Sequence, residues 1–343
     1  MIIREQVLLA PYTTFHIGGC ARYFAEVESD ADIVEAVEFA HTLNLPISIL
    51  GGGSNLLISD RGFDGLVIYM TGERVEIRKD DHGALVIADA GMNWDKLVGV
   101  CVEAGLWGIE NLSGIPGNVG ATPVQNIGAY GAEVGSFIEW VNVYDKNECV
   151  FKRLSKAECK LAYRDSIFKQ EEGKSHIVVR VAYRLPQKGK LNIEYKDLIA
   201  YAQNEHALDT IADVRNAVLT IRARKFPLYA GTTIGTAGSF FKNPVVSSEA
   251  GATFSARFPD APLFPQEGGN IKLSAAWIID NILKMKGVRE GNVGTWEAQA
   301  LVMINFGGGT AAEVVSFAKH IIARAQNETG IILEPEVVYV GDI

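Results

Sequence analysis

NLSGIPGNVGATPVQNIGAYGAEVG, residues Asn111 to Gly135, holds six glycines and a single charged residue, Glu133. A stretch so rich in glycine and so nearly uncharged is expected to bury no core of its own. It lets backbone N–H groups close on something flat or anionic, because glycine accepts positive φ and puts no side chain in the way. A second such loop, ILGGGSNLLISD, runs from Ile49 to Asp60. Two glycine cradles in one chain point to a long cofactor gripped at two places. Short polar side chains stand among the glycines: Ser54 and Asn55 in the first loop, Thr122, Gln125 and Asn126 in the second. The GGGSN string lacks the GxxxxGK(S/T) of a P-loop. Neither loop has GxGxxG at a strand-to-helix turn with an acidic residue about 20 positions on, so a Rossmann nicotinamide site is not indicated. A bound dinucleotide of another kind is the expectation; tight turns alone are the alternative.

Helix and strand signals alternate around these loops. Asp30 is the expected cap of a helix with Ile33, Val34, Val37, Ala40 and Leu43 on its inner face. Pro46 to Leu50 reads as a short strand entering the first loop, with further strands at Gly65 to Met70, Val75 to Arg78 and Ala84 to Asp89. Asn93 caps a helix whose inner face is Leu97, Val98 and Cys101. After the long loop come a strand at Val141 to Tyr144 and a period-2 strand, HIVVRVAYRL, from His176 to Leu185. Thr210 opens a helix bearing Ile211, Val214, Val218 and Ile221, and the stretch Tyr229 to Phe240 reads as a domain boundary. Leu273 to Met285 is an expected helix ending at Gly287. The last helix has the fullest punctuation: a Thr310–Glu313 capping box, an apolar face of Val314, Phe317, Ala318, Ile321 and Ile322, and a C-terminal Gly330. A strand from Ile331 to Val340 closes the reading.

At 343 residues the chain exceeds the size of one usual core, so two or three domains are expected. Hydrophobic content of 48% with 21% charged residues argues against disorder. A net charge of −9 argues against nucleic-acid or anionic-membrane partners, so a phosphorylated ligand needs local cations and backbone amides. Cys20, Cys101, Cys149 and Cys159 show no CxxC spacing, and no secretory signal or membrane-length apolar run is present. The thiols are read as reduced and mostly core, in a cytoplasmic protein with no metal site.

The strings Gly51-Gly52-Gly53-Ser54-Asn55, Gly114-Ile115-Pro116-Gly117 and Gln125-Asn126-Ile127-Gly128-Ala129-Tyr130-Gly131 resemble the FAD-binding half of UDP-N-acetylenolpyruvoylglucosamine reductases. The match continues in order through YRDSIFK (Tyr163 to Lys169), GSFFKNP (Gly238 to Pro244), AQAL (Ala298 to Leu301) and LEPEV (Leu333 to Val337). The resemblance implies an α+β fold of three domains. Two form a FAD module of the vanillyl-alcohol-oxidase/PCMH type: residues 1–70 with 331–343, and residues 71–228. Residues 229–330 form an α/β substrate domain. It implies non-covalent FAD, held by Gly51, Gly52, Gly53, Ser54, Asn55, Gly114, Ile115, Pro116, Gly117, Thr122, Gln125, Asn126, Gly128 and Ala129. NADPH is the implied co-substrate, in ping-pong turnover. His16 is not expected to tether the flavin.

The family's substrate is an enol ether conjugated to a carboxylate, and its product is UDP-N-acetylmuramate for peptidoglycan. Reduction builds negative charge beside the carboxylate, so the enzyme must stabilise an enolate and protonate carbon. The resemblance gives Arg164 as the enolate clamp; its planar, always-charged fork suits a carboxylate. It gives Ser239 as the proton donor, with Lys242 three residues on. Glu336 is the acidic partner, expected to hold a proton beside the substrate carboxylate. Spacing alone leaves Glu334 open, because both share one face of a strand. Substrate grip falls to Tyr195, Lys225, Asn243 and Gln299. Tyr195 lies in an insertion at about 186–209 that marks the longer branch of the family, with Tyr201 as competitor. A monomer is expected. The rivals are another oxidoreductase of the same flavin fold, whose flavin an alcohol would bleach, and a non-catalytic nucleotide-sugar sensor.

Overall fold

The structure is a computed structural model describing residues 1–227 and 234–343. The boundary expected at 228/229, with the start of the Tyr229–Phe240 stretch, lies outside the described residues. Two units are distinct: Met1–Val7, Ala21–Gly52 and Asp64–Arg222 make the first, and Leu8–Cys20, Gly53–Phe63 and Ala223–Ile343 the second.

In the first unit, helix α1 (Asp30–Thr42) is capped by Ser29 rather than Asp30. The Ser29 hydroxyl accepts the Asp32 N–H while the Asp32 carboxylate accepts the Ser29 N–H, so Asp30 becomes the first helical residue. Ile33, Val37 and Ala40 are buried as expected, whereas Leu43 is the C-cap and stays exposed. The strand Ile47–Leu50 pairs in parallel with Phe63–Met70, at one side of a four-stranded sheet that continues through Cys20–Val27 to Ile3–Leu8.

A five-stranded antiparallel sheet runs Val150–Ser155, Ile138–Asp145, His176–Leu185, Gly83–Asp89, Val75–Asp80. The expected period-2 strand His176–Leu185 is present over the same residues, and as the central strand it buries side chains on both faces. Ile177, Val179, Val181, Tyr183 and Leu185 fill one face, Val178 and Ala182 the other. Arg180 is tolerated there because Asp89 and Asp30 pair with it.

Helix α2 (Trp94–Glu103) starts at Asn93, whose side chain accepts the Lys96 N–H, and buries Trp94, Leu97, Val98 and Cys101. The long glycine stretch is not all loop, and contrary to expectation it does enter the core: it contains a short helix, α3 (Ala121–Gln125), and its Leu112, Val119 and Val134 are fully buried because they pack into the first unit's main apolar cluster. Helix α4 (Lys196–Asn204) lies in the insertion. Helix α5 (Ile211–Lys225) begins with a reciprocal Thr210–Asp213 cap. Leu198 and Leu208 of the insertion pack with Val214, Ala217, Val218 and Ile221 of α5 and with Tyr130 of the glycine stretch.

The second unit holds a four-stranded sheet, Gly235–Ser239, Val302–Asn305, Val293–Thr295, Arg289–Glu290, and a three-stranded one, Val245–Val246, Ile271–Leu273, Leu263–Pro265. Helix α6 spans Ser248–Arg257. The helix expected over Leu273–Met285 is shorter and irregular. Leu273 ends a strand, Ser274 caps α7 (Ala275–Trp277), and a π-turn follows over Ile278–Ile282. Helix α8 (Ala311–Thr329) has the expected Thr310–Glu313 box and ends at Gly330. Phe15, Phe240, Phe241, Phe317 and Leu333 are among the buried residues of this unit's core.

The expected strand Ile331–Val340 survives only as Val338–Val340, parallel to Leu56–Ile58. Upstream, Pro335 forms a single antiparallel bridge with Phe241. Proline has no N–H, so it fits only at a non-hydrogen-bonded pair. The flanking bonds carry the pairing: Lys242 N–H to Glu334 O at 2.9 Å and Glu336 N–H to Phe240 O at 2.7 Å.

All four thiols are free. Cys101 and Cys159 are buried, and burial pushes both up to about 12; Cys20 is half-buried and Cys149 exposed, so only two of the four are core. Among the described residues no helix is long and apolar enough to cross a membrane.

Candidate functional site

The two glycine loops meet within the first unit. A Cβ added to Gly52 would lie 2.7 Å from Gly117 Cα and 3.0 Å from Asn118 Oδ1. Only glycine permits that approach, so the start of the first loop lies directly against the backbone of the second. Gly51 also faces the Asn118 side chain. Gly53, Ser54 and Asn55 fall in the second unit.

Gly114 is clamped at both ends. Its N–H donates to Asp95 Oδ1 at 2.6 Å, and its carbonyl accepts from Arg222 Nε at 2.9 Å. Arg215 makes a bidentate pair with Asp95, at 2.6 and 2.9 Å. Arg215 and Arg222 are seven residues apart on α5, hence on one face. Burial alone would raise the Asp95 carboxyl; Arg215 and the Gly114 N–H outweigh it and hold it below its ordinary 3.8. A carboxylate lowered in the native state stabilises fully above its unfolded value and stops doing so as pH falls through the native one. Acidification below 3.8 is therefore expected to release Gly114 and with it the flavin. Fluorescence of free FAD across an acid titration checks this: Asp95→Asn should release flavin already at neutral pH.

The polar side chains of the second loop divide by use. Thr122 is buried; its hydroxyl donates to the Val119 carbonyl, so the 2.6 Å contact with Tyr183 has the Tyr183 hydroxyl as donor. Asn126, the left-handed C-cap of α3, donates to Ala162 O and accepts the Gly135 N–H. Both side chains brace the loop itself. Gln125 differs. Its Oε1 accepts from Lys169 Nζ at 2.6 Å, and among the described residues nothing bonds its Nε2.

The YRDSIFK segment grips this loop from outside. Arg164 donates to Gly128 O at 2.8 Å and Asn126 O at 3.4 Å. Its own φ is +54°, a conformation that costs a bulky residue about 1–3 kcal/mol. Ser166 donates to Val124 O and Lys169 to Arg164 O. The insertion reaches the same loop: Asn111 donates to the carbonyls of Tyr130 and Asn192, and Asn192 donates to Gly131 O. Tyr195, at the N-cap of α4, meets Tyr130 edge-on at 5.3 Å and remains 39% exposed, while Tyr201 packs into the small core of α4 and α5.

In the second unit Ser239 ends the strand Gly235–Ser239 on a β-bulge. Thr236 pairs with Ile304 and Ser239 with Val302, so Ala237 and Gly238 stand opposite the single residue Met303. Gly238 has φ +77° and a Cβ there would touch nothing, so its conformation rather than its space calls for glycine. Bulges of this kind re-aim a side chain. The Pro335 bridge sets Glu336 directly beside Phe240, the residue after Ser239. Asn55 Nδ2 donates to Glu336 O at 3.2 Å. Lys242 pairs with the exposed Glu334 at 3.8 Å. Gln299 lies in the turn entering the strand paired with Ser239, and its Oε1 accepts the Leu301 N–H at 3.4 Å. Asn243 Oδ1 accepts the Ala275 N–H of α7 at 3.0 Å, which leaves its Nδ2 to donate elsewhere. Lys225 ends α5. The strand end that carries Ser239 is thus bonded on one side to the Gln299–Val302 turn and on the other to the backbone of Glu336, which Asn55 also holds, whereas Arg164 belongs to the first unit.

Sequence reasoning missed Asp95, Arg215 and Arg222, and named Tyr130 within a motif without giving it a role. The heptad spacing of the two arginines beside an apolar face was the available signal. Lys169 was inside a quoted motif without a role.

The cradle fits a flavin dinucleotide: close-packed glycine backbone, one carboxylate in the whole stretch, and an amide N–H₂ left to donate. Residues 21–152 match the family described as FAD binding domain, and residues 229–340 match the C-terminal domain of UDP-N-acetylenolpyruvoylglucosamine reductase. The reductase of Xanthomonas axonopodis pv. citri is 40% identical, over 99% of this chain and 96% of its own. That of Pseudomonas aeruginosa is 39% identical, over 97% and 98%. The crystal structure of the Thermus caldophilus reductase superposes with a TM-score of 0.68 at 27% identity, covering 99% of this chain and all of that one. Likeness along the whole length, with the flavin and C-terminal regions in order on a glycine-lined cradle, makes this chain a member of the UDP-N-acetylenolpyruvoylglucosamine reductase family, an FAD-containing oxidoreductase.

Proposed function

We propose that Arg164, Ser239 and Glu336 carry the reaction of this family, in which the chain reduces the enolpyruvyl group of UDP-N-acetylglucosamine enolpyruvate to UDP-N-acetylmuramate for peptidoglycan. FAD, when bound, supplies the hydride it has taken from NADPH. Arg164 stabilises the enolate by its fixed positive charge. Ser239 gives its hydroxyl proton to the carbon next to the carboxylate, and Lys242 steadies the resulting alkoxide. Glu336 stays protonated beside the substrate carboxylate and donates to it. Tyr195, Lys225, Asn243 and Gln299 hold the nucleotide sugar, with the insertion as the longer branch's cap. The observation that supports this reading best is the Pro335 bridge, which fixes the Glu336 backbone 2.7 Å from the residue that follows Ser239.

The three-domain division belongs to the same reading, with 1–70 and 331–343 joined through the Val338–Val340 pairing. So do a monomeric state, a cytoplasmic setting and the absence of nucleic-acid partners. NADPH and substrate use one site in turn, which makes the kinetics ping-pong. Anaerobic mixing tests the proposal. NADPH should bleach the flavin in the absence of substrate, and the enolpyruvyl sugar should then restore the colour. Bleaching by a simple alcohol instead, or a protein that stays colourless with added FAD, would overturn it.

A further inference from the structure

We propose that Lys169 is a positioning residue that fixes the amide of Gln125 with its N–H₂ end toward the flavin, and so sets the cofactor's reduction potential. The inference rests on the reading of residues 125–129 as a flavin-contacting loop.

Three observations carry it. Gln125 is 9% exposed, and its Oε1 is held by the Lys169 ammonium at 2.6 Å. An amide has two chemically opposite ends, and an ammonium only donates, so this bond admits one orientation of Gln125 and excludes the flipped one. The Nε2 end is then the one left over, and no described residue takes it. Finally, the same ammonium donates to Arg164 O at 2.7 Å. That carbonyl belongs to a residue at φ +54°, whose guanidinium in turn holds Gly128 O. One cation therefore pins both the amide and the turn that carries Arg164. A flavin gains negative charge on reduction, so a donor presented to it binds the reduced form more tightly than the oxidised one. An acceptor in the same place would do the reverse. Without Lys169, Gln125 is free to flip and its preference for the reduced form is lost.

The test is spectroelectrochemical titration of the holoenzyme, alongside FAD affinity from fluorescence quenching. Lys169→Met is expected to weaken binding of reduced relative to oxidised FAD about tenfold, which lowers the two-electron potential by about 30 mV. Lys169→Arg keeps a donor cation and should recover most of that shift; it also serves if the Met variant fails to fold. In a Gln125→Leu background, Lys169→Met should add less than a twofold further change. An unchanged potential in Lys169→Met, with Gln125→Leu clearly shifted, overturns the role of Lys169. Additive shifts overturn the route through Gln125. A Gln125→Leu enzyme with native potential and FAD affinity removes the underlying reading of the loop, and the proposal with it.

Discussion

Ser239→Ala is expected to leave flavin reduction by NADPH within about twofold of wild type, while reoxidation by the enolpyruvyl substrate slows by about 10²–10⁴. A hydroxyl is a weak acid, but a carbanion-like enolate is a far stronger base than the acceptors general acids usually serve. What the site must supply is aim. Ser239 is the last residue of a bulged strand whose extra residue, Gly238, is held left-handed, and such a kink turns the next side chain out of the pleat. Alanine keeps the backbone and removes only the proton. Stopped-flow absorbance separates the two half-reactions. Reoxidation at the wild-type rate would remove Ser239 from the chemistry, whatever the effect on overall turnover.

Arg164→Met should reduce kcat/KM for the enolpyruvyl substrate by about 10²–10³, the usual effect of losing one preorganised charge at a developing anion. The left-handed backbone strains Met and Arg alike, so the comparison isolates the guanidinium. Two further points sharpen it. Arg164 already spends donors on the Gly128 and Asn126 carbonyls, which fixes its fork in one orientation. Lysine has no planar fork, so Arg164→Lys should fail to restore more than a tenth of the lost rate, although its charge is the same. A substrate-side effect smaller than about fivefold, with flavin content normal, would reassign Arg164 to bracing the loop.

Much of the architecture was legible because local signals and burial agreed. The Thr310–Glu313 and Asn93 caps start helices where the sequence places them, and α8 buries Val314, Phe317, Ala318 and Ile321. The period-2 strand His176–Leu185 forms as read; its neighbours on both sides make it central, and aspartates absorb Arg180 and Arg184. Misreadings occur where a tertiary partner decides. Leu273 looks helical by periodicity, yet Ser274 caps the helix behind it and sheet pairing claims the leucine. Ser29 displaces Asp30 as a cap because Asp32 returns its bond. The site shows the same division. Glycine spacing located the cradle, but the supports of the cradle come from residues distant in sequence. Asp95, Arg215 and Arg222 look like ordinary surface charges until Gly114 is seen between them.

Gly114 also bears on how the enzyme acquires its prosthetic group. Both of its main-chain groups are satisfied by side chains of α2 and α5, helices that also bury apolar residues in the same unit. The loop's shape is therefore assembled by the polypeptide during folding, ahead of any flavin. Reconstitution of stripped protein should consequently be a one-step second-order process, with a rate proportional to FAD concentration and no slow unimolecular phase. Chains made in a flavin-starved cell would remain a ready reserve, activated on contact once the vitamin returns.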